Sequence, residues 1–234
     1  RLTATTAWNS STGMNEVSIG LAPDNSYTSG GYYRAGTLVK KTTRDEDDRE
    51  TQVFSNASGQ TLLVRKATGS GSAPYADTYY VYDDFGNLVL AIPPKVAFST
   101  LAELNSQLDA LCYQYRYDRY NRLVEKRLPG KSAWESVVYD KQGRAVLTQD
   151  ANQTSKQWSF VKYDSQGRVA YSGLFSSAAS RSSLQATLDN MSSNALNNES
   201  RTDTPFSLNG LDIYYTNAAF PTGDMTVMSV NYYD

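Results

Sequence analysis

Apolar and polar positions alternate with a period of two over short runs, and turn-forming residues break the runs at close intervals. Residues 78–82 and 113–117 alternate in this way, and 88–92, 122–128 and 144–148 carry the β-branched and apolar residues of strands. Residues 36–43 and 50–54 flank an acidic stretch, Asp45-Glu46-Asp47-Asp48, and predict a hairpin. Two segments change to a helical period. Ser99 or Thr100 caps a helix over about 99–111 that aligns Leu101, Leu104, Leu108 and Leu111, after Pro93-Pro94 ends the preceding strand. Ser180 caps a second helix that runs through about Met191 and buries Leu184, Leu188 and Met191. Residues 192–205, rich in Ser, Asn and Thr, read as a loop, and Gly69-Ser70-Gly71-Ser72 as a flexible tip. The Ser-, Thr- and Gly-rich first 30 residues give no clear pattern.

The strand runs are joined by a recurring turn. Tyr82-Asp83-Asp84-Phe85-Gly86, Tyr117-Asp118-Arg119-Tyr120-Asn121, Tyr139-Asp140-Lys141-Gln142-Gly143 and Tyr163-Asp164-Ser165-Gln166-Gly167 align, and Arg122, Arg144 and Arg168 follow three of them. Successive glycines, or Asn121, lie 35, 22 and 24 residues apart, so the array carries an insertion between its first two copies. The chemistry accounts for the pattern. Aspartate at the first turn position accepts backbone N–H bonds from the residues that follow, two residues form a type I turn, and glycine takes the left-handed conformation of a bulged hairpin. Asparagine is the substitute that best tolerates that conformation. A weaker copy lies upstream, with Asn56 and Gly59 at the same offset and its aromatic, Phe54, displaced by one residue toward the other sheet face. Residues 225–233 begin a further copy that reaches Tyr233-Asp234 without its glycine, and the chain starts at Arg1, so both ends read as cuts in a longer chain.

Composition narrows the chemistry. Histidine is absent and Cys112 is the single cysteine among 234 residues, which removes His-based triads, His-ligated metals, an internal disulfide and an all-cysteine zinc site. No run approaches the roughly 18 apolar residues of a membrane span. Residues 115–170 carry 11 basic and 6 acidic residues, but the cations are interspersed with acids and tyrosines as on a solvated sheet face, so no nucleic-acid partner is expected.

Asp83, Asp118, Asp140 and Asp164 resemble glycosidase carboxylates in type, but such a pair must converge across a cleft. Each of these recurs at one turn position, which marks a fold requirement. Arg122, Arg144 and Arg168 are expected to pair with nearby aspartates or stack on tyrosine. The 18 tyrosines suit a half-buried sheet, and a sugar-stacking platform is the alternative, with Trp8, Trp134 and Trp158 as the glycan-facing candidates. Asp45-Glu46-Asp47-Asp48 lacks the spacing of a calcium loop. Cys112 reads as a small buried hydrophobe, and Lys40-Lys41 as edge-strand charge that blocks strand addition. No catalytic residue, cofactor or metal is expected.

The segments Tyr-Asp-Ser-Gln-Gly-Arg (163–168) and Tyr-Asp-Lys-Gln-Gly-Arg (139–144) closely resemble the bacterial RHS/YD-repeat family, which includes shell-forming toxin components, surface proteins and, distantly, the teneurins. The best match is residues 80–175; Gln60 and Asn87 stand where that family usually has arginine. The resemblance implies a mainly β fold of consecutive antiparallel hairpins in a twisted, curved sheet, with two short helices. Residues 1–75 form an N-terminal β segment with a degenerate repeat hairpin, 76–175 the YD-repeat sheet with its inserted helix, and 176–234 a helix, a loop and the start of a further repeat strand. It implies a non-enzymatic structural scaffold, secreted or on a bacterial cell surface. Its partners would be the remaining repeats of the parent chain and an encapsulated C-terminal toxin domain, with an edge-mediated dimer of the fragment. The alternative is a carbohydrate-binding surface module.

Overall fold

The computed structural model describes residues 3–8, 17–21, 27–32, 36–69, 74–153 and 156–233, the first three segments and Ala195 without their side chains. The chain divides into two units, Arg1–Arg122 with Lys126–Lys131, and Leu123–Glu125 with Ser132–Asp234. The division falls inside the 76–175 segment. One apolar cluster surrounds the first helix and another lies against the second, so the strands partition by the core they cover.

In the first unit, β1 (Thr3–Trp8) pairs with β4 (Leu38–Arg44), and β2 (Val17–Leu21) pairs with β3 (Tyr27–Tyr32) as a separate ribbon. These elements occupy the stretch that showed no pattern. They also correct the edge-strand reading of Lys40-Lys41, because β4 lies between β1 and β5 (Glu50–Ser55). The sheet then follows chain order through β6 (Thr61–Ala67), β7 (Tyr75–Tyr82), β8 (Leu88–Ile92) and β9 (Tyr113–Tyr117), every pair antiparallel. α1 (Leu101–Leu111) sits in the β8–β9 connection. Thr100 caps it, and Glu103 returns the bond to the cap backbone in a capping box. Leu104 is buried with Val81, Leu90 and Ile92, so the insertion covers the sheet face that those residues make apolar.

β10 (Leu123–Arg127) contributes residues to both units. In the second unit, β11 (Glu135–Tyr139), β12 (Ala145–Gln149), β13 (Gln157–Asp164), β14 (Val169–Ser176) and β18 (Met225–Val230) pair antiparallel in that order. The alternation is strict on β13, where Trp158, Phe160, Lys162 and Asp164 all point inward. α2 (Arg181–Asp189), capped by Ser180, buries Leu184 and Leu188 against β11–β14 and packs Met191 beside them. The expected loop at 192–205 is overturned. It holds a 3-10 turn at Asn194–Asn197, β15 (Asn198–Glu199) parallel to β13, and β16 (Arg201–Leu208), which pairs with β17 (Leu211–Tyr215). The β16–β17 reversal is Asn209-Gly210, both at positive φ (53° and 78°), as a two-residue hairpin turn of opposite hand requires.

Candidate functional site

The repeat turns are the most regular constellation in the chain, and they are built alike. In each, the N–H of the Asp or Asn donates to the carbonyl four residues on, and the N–H three residues on donates back, at 2.9–3.2 Å. One side-chain oxygen of that residue accepts the N–H groups two and four residues on. Asp83 takes Phe85 and Asn87, Asp118 takes Tyr120 and Arg122, Asp140 takes Gln142 and Arg144, and Asp164 takes Gln166 and Arg168, all at 2.8–3.0 Å. The fourth position lies at positive φ in every case, 86° at Gly86, 59° at Asn121, 81° at Gly143 and 79° at Gly167. The reading of Asn121 as a glycine substitute therefore holds.

Two further turns share this geometry. Asn56 accepts Ser58 and Gln60 N–H at 3.0 Å, with Gly59 at φ 80°. Asp45 accepts Asp47 N–H at 3.1 Å and Arg49 N–H at 2.8 Å, with Asp48 at φ 57°. The acidic stretch is thus another copy of the same turn, at the opposite end of the sheet from the Asn56 turn because one strand separates them. Sequence reading missed it because aspartate occupies the left-handed position, which it tolerates less readily than glycine.

The second carboxylate oxygen faces the residue after the turn. Arg122, Arg144 and Arg168 donate Nε to Asp118, Asp140 and Asp164 at 2.7–2.8 Å. Where arginine is missing, amides replace it. Asn87 donates to Asp83 at 3.0 Å, and Asn56 donates to Gln60 Oε1 at 2.6 Å. Burial alone would raise the Asp118 and Asp164 carboxyls, but the bonds from Arg122 and Arg168 and from the turn N–H groups outweigh it and hold both below the ordinary carboxylate value.

Four of the pre-turn tyrosines reach back to the strand that follows the preceding turn. Tyr82 donates its hydroxyl to the Thr61 carbonyl (3.1 Å), Tyr139 to Leu123 (2.8 Å), Tyr163 to Ala145 (2.8 Å) and Tyr233 to Val169 (3.0 Å). Every acceptor lies five residues after the Asp or Asn of the preceding turn. The Arg144 guanidinium lies 4.5 Å from the Tyr163 ring centroid and Arg168 4.3 Å from that of Tyr233, so arginines both pair with their own aspartate and stack on the next tyrosine. The Asp83 and Asp118 turns are tied differently, by Asn87 donating to Asn121 at 3.1 Å. Tyr117 has no hydroxyl bond of this type among the described residues. The four repeat aspartates each serve their own turn, as their recurrence at one position led us to expect.

The glycan-facing candidates differ in exposure. Trp158 is 2 % exposed within the second core, a correction that its inward position on β13 explains. Trp134 is half-buried, and the Trp8 side chain lies outside the described residues. Cys112 is buried at the end of α1, and burial pushes its thiol up to about 11, away from nucleophile chemistry.

One polar cluster escaped the sequence reading. Lys162 and Glu199 side chains are both fully buried and 3.0 Å apart. Glu199 also accepts Tyr171 OH (3.2 Å), Thr216 Oγ1 (2.5 Å) and the Ala218 and Ala219 N–H groups (both 3.0 Å). Lys162 donates to Asn217 Oδ1 as well. Burial lowers the lysine below its ordinary value despite the opposing Glu199 carboxylate, and raises the Tyr171 hydroxyl. The available signal was Lys162 itself, in phase with Trp158 and Phe160, since a lysine on an inward row needs a buried acid. With its oxygens saturated and no solvent access, the pair fastens the 198–219 excursion to β13 and β14.

Comparison with known proteins gives a limited likeness. No family model matches the chain, and no curated protein matches it. Solved structures that match include the crystal structures of TcdB2-TccC3 (16 % identity, TM-score 0.46), TcdB2-TccC3-Cdc42 (14 %, 0.47) and TcdB2-TccC3-TEV (15 %, 0.44). Each match covers 68 % of this chain and 8 % of the other, so the chain spans less than a tenth of those it matches. Among the described residues, no helix is long and apolar enough to cross a membrane.

Proposed function

We propose that the chain is a non-enzymatic scaffold, a run of hairpins in the wall of an RHS/YD-repeat β-shell of a secreted or cell-surface bacterial protein that encloses or displays another domain of its parent chain. The observation that supports this reading is the tyrosine tie, in which the carbonyls of Thr61, Leu123, Ala145 and Val169, one after each of four turns, are taken by the tyrosine before the next turn. A lone hairpin is marginal in water, and stacking of repeats supplies the missing core. The bulge beside each tyrosine adds twist, so repetition curves the sheet. Among the described residues β18 is paired only with β14, which leaves its other edge for a further hairpin or for a second copy of the fragment.

Cryo-electron microscopy of the product of the complete reading frame tests the proposal. The expected result is a sheet that continues from β18 in hairpin order around a cavity that holds a separate domain. A structure in which a non-repeat domain covers the β18 edge and no cavity forms would overturn it.

A further inference from the structure

Four arginines that lie over aromatic rings share one arrangement. Arg65 lies over Phe54 and Tyr75 and pairs with Asp77. Arg122 lies over Tyr120 and pairs with Asp118, Arg144 over Tyr163 with Asp140, and Arg168 over Tyr233 with Asp164. In each case the ring supports the guanidinium and a carboxylate fills its donor fork.

Among the described residues, Arg201 has the rings without the acid. Its guanidinium carbon lies 4.5 Å from the Tyr232 ring centroid and 5.5 Å from that of Tyr215. The two rings are parallel within 4°, with centroids 5.6 Å apart. The platform is fixed from below. Tyr215 is buried and donates its hydroxyl to the Asn231 carbonyl at 2.8 Å, and Tyr232 accepts the Tyr214 N–H on its hydroxyl at 3.2 Å. Arg201 is exposed at the start of β16, and Tyr214 and Tyr232 are 41 % and 46 % exposed beside it. No acidic side chain among the described residues pairs with Arg201. Asp203, two residues along the strand, forms no ion pair with it, and Asp212 is held by Ser207. A stacked guanidinium is pre-organised and weakly hydrated, and its planar fork matches a carboxylate in bidentate fashion.

We infer that Arg201, held on Tyr215 and Tyr232, is a docking point for an acidic peptide segment of a partner protein, whose Asp or Glu carboxylate completes the arrangement that Asp140 and Asp164 complete within the repeats. Tyr214 and Tyr232 supply the surrounding aromatic contact, and tyrosine with arginine is the composition of interface hot spots. Arg119, stacked on Tyr120 alone and next to the acidic Asp118, is the weaker analogue and serves as a control.

The test is a titration of the isotope-labelled chain with acetyl-tetraglutamate amide at low salt, read at the Arg201 side-chain N–H resonance. Acetyl-tetralysine amide and sodium phosphate run as separate arms. The expected result is a saturable shift with the glutamate peptide that the lysine peptide does not produce. Arg201→Lys should weaken binding about tenfold by loss of the bidentate fork. Tyr232→Leu should weaken it as well, while Arg119→Ala leaves it unchanged, with thermal unfolding confirming that each variant is folded. An unmoved Arg201 resonance, wild-type binding by Arg201→Lys, or an equal response to free phosphate would overturn the assignment.

Discussion

The Asn56 turn shows that the repeat geometry survives without charge, and this sets a quantitative test at Asp164 and Arg168. The Asp164 side chain is 10 % exposed and that of Arg168 40 %. The carboxylate accepts two backbone N–H groups at 2.9 Å and Arg168 Nε at 2.7 Å. Asp164→Asn keeps an oxygen for the backbone pair and loses only the charge-assisted bond, which is worth about 1–1.5 kcal/mol after discounting for the exposed arginine. Asp164→Ala also strands both turn N–H groups and should cost about 3 kcal/mol. Arg168→Gln alone should cost about 1 kcal/mol. The double variant Asp164→Asn/Arg168→Gln recreates the Asn56–Gln60 amide pair, so its cost should fall below the sum of the singles by about 1 kcal/mol. Urea unfolding followed through the buried Trp158 reports on this unit. Strict additivity, or equal costs for Asn and Ala at 164, would refute the account. The pH dependence supplies a second reading. The folded carboxyl lies below its ordinary value of 3.8, so its stabilisation is complete above that value and is lost as the pH falls through the folded one. The gap between parent and Asp164→Asn should therefore close with acid below about pH 4 and stay constant above about pH 5.

Three further outcomes follow from the geometry. Gly167 sits at φ 79° with open space around its missing Cβ, so Gly167→Asn should cost under about 1 kcal/mol, as Asn121 illustrates, and Gly167→Val about 2 kcal/mol or more; equal costs in thermal denaturation would contradict the turn assignment. Tyr163→Phe removes the donor to Ala145 and should cost about 1 kcal/mol by urea titration; a neutral result would show that the tie carries no energy. Glu199→Ala leaves the Lys162 ammonium buried with Asn217 alone and should cost about 4 kcal/mol, whereas Lys162→Met leaves Glu199 four other donors and should cost about half as much. The reverse order in chemical denaturation would overturn the lock.

What the sequence disclosed was local, and what it hid was distant. The hairpins around Asp83, Asp118, Asp140 and Asp164 were legible because each turn is closed by its own residues, and both helices were legible from Thr100 and Ser180. The Asp45 turn was obscured by an acidic residue at the left-handed position. Asn209-Gly210, with Phe206 and Leu208 before it and Leu211 and Ile213 after it, carried a strong hairpin signal that went unread beside the polar 192–205 stretch. β15 could not be read from its two residues, since its place depends on Lys162, 37 positions earlier. The burial of Trp158 was implicit in the alternation of β13, and it removes that residue from the alternative glycan-stacking reading. The Arg201 platform joins β16, β17 and the residues after β18, a convergence that no spacing rule expresses.

The glycine and the tyrosine of the motif meet at the bulge. The left-handed residue produces a bulge, and the register shifts between Val81 and Tyr82, between Val138 and Tyr139, and between Lys162 and Tyr163. The residues opposite the bulge in these hairpins are Leu88, Ala145 and Val169. A bulge disrupts the ladder locally, and a backbone carbonyl left out of it must find another donor. At Ala145 and Val169 that donor is the hydroxyl of the next tyrosine. The Asn56 turn is the informative exception. Its bulge lies between Phe54 and Ser55, and Thr61 opposite receives Tyr82, as the rule requires. Its own pre-turn residue is Ser55, and among the described residues no earlier turn of this kind lies at its end of the sheet. At Thr61, Ala145 and Val169 the tyrosine hydroxyl thus answers a carbonyl beside the preceding hairpin's bulge, whereas Leu88, also opposite a bulge, receives no such bond from Tyr117 among the described residues.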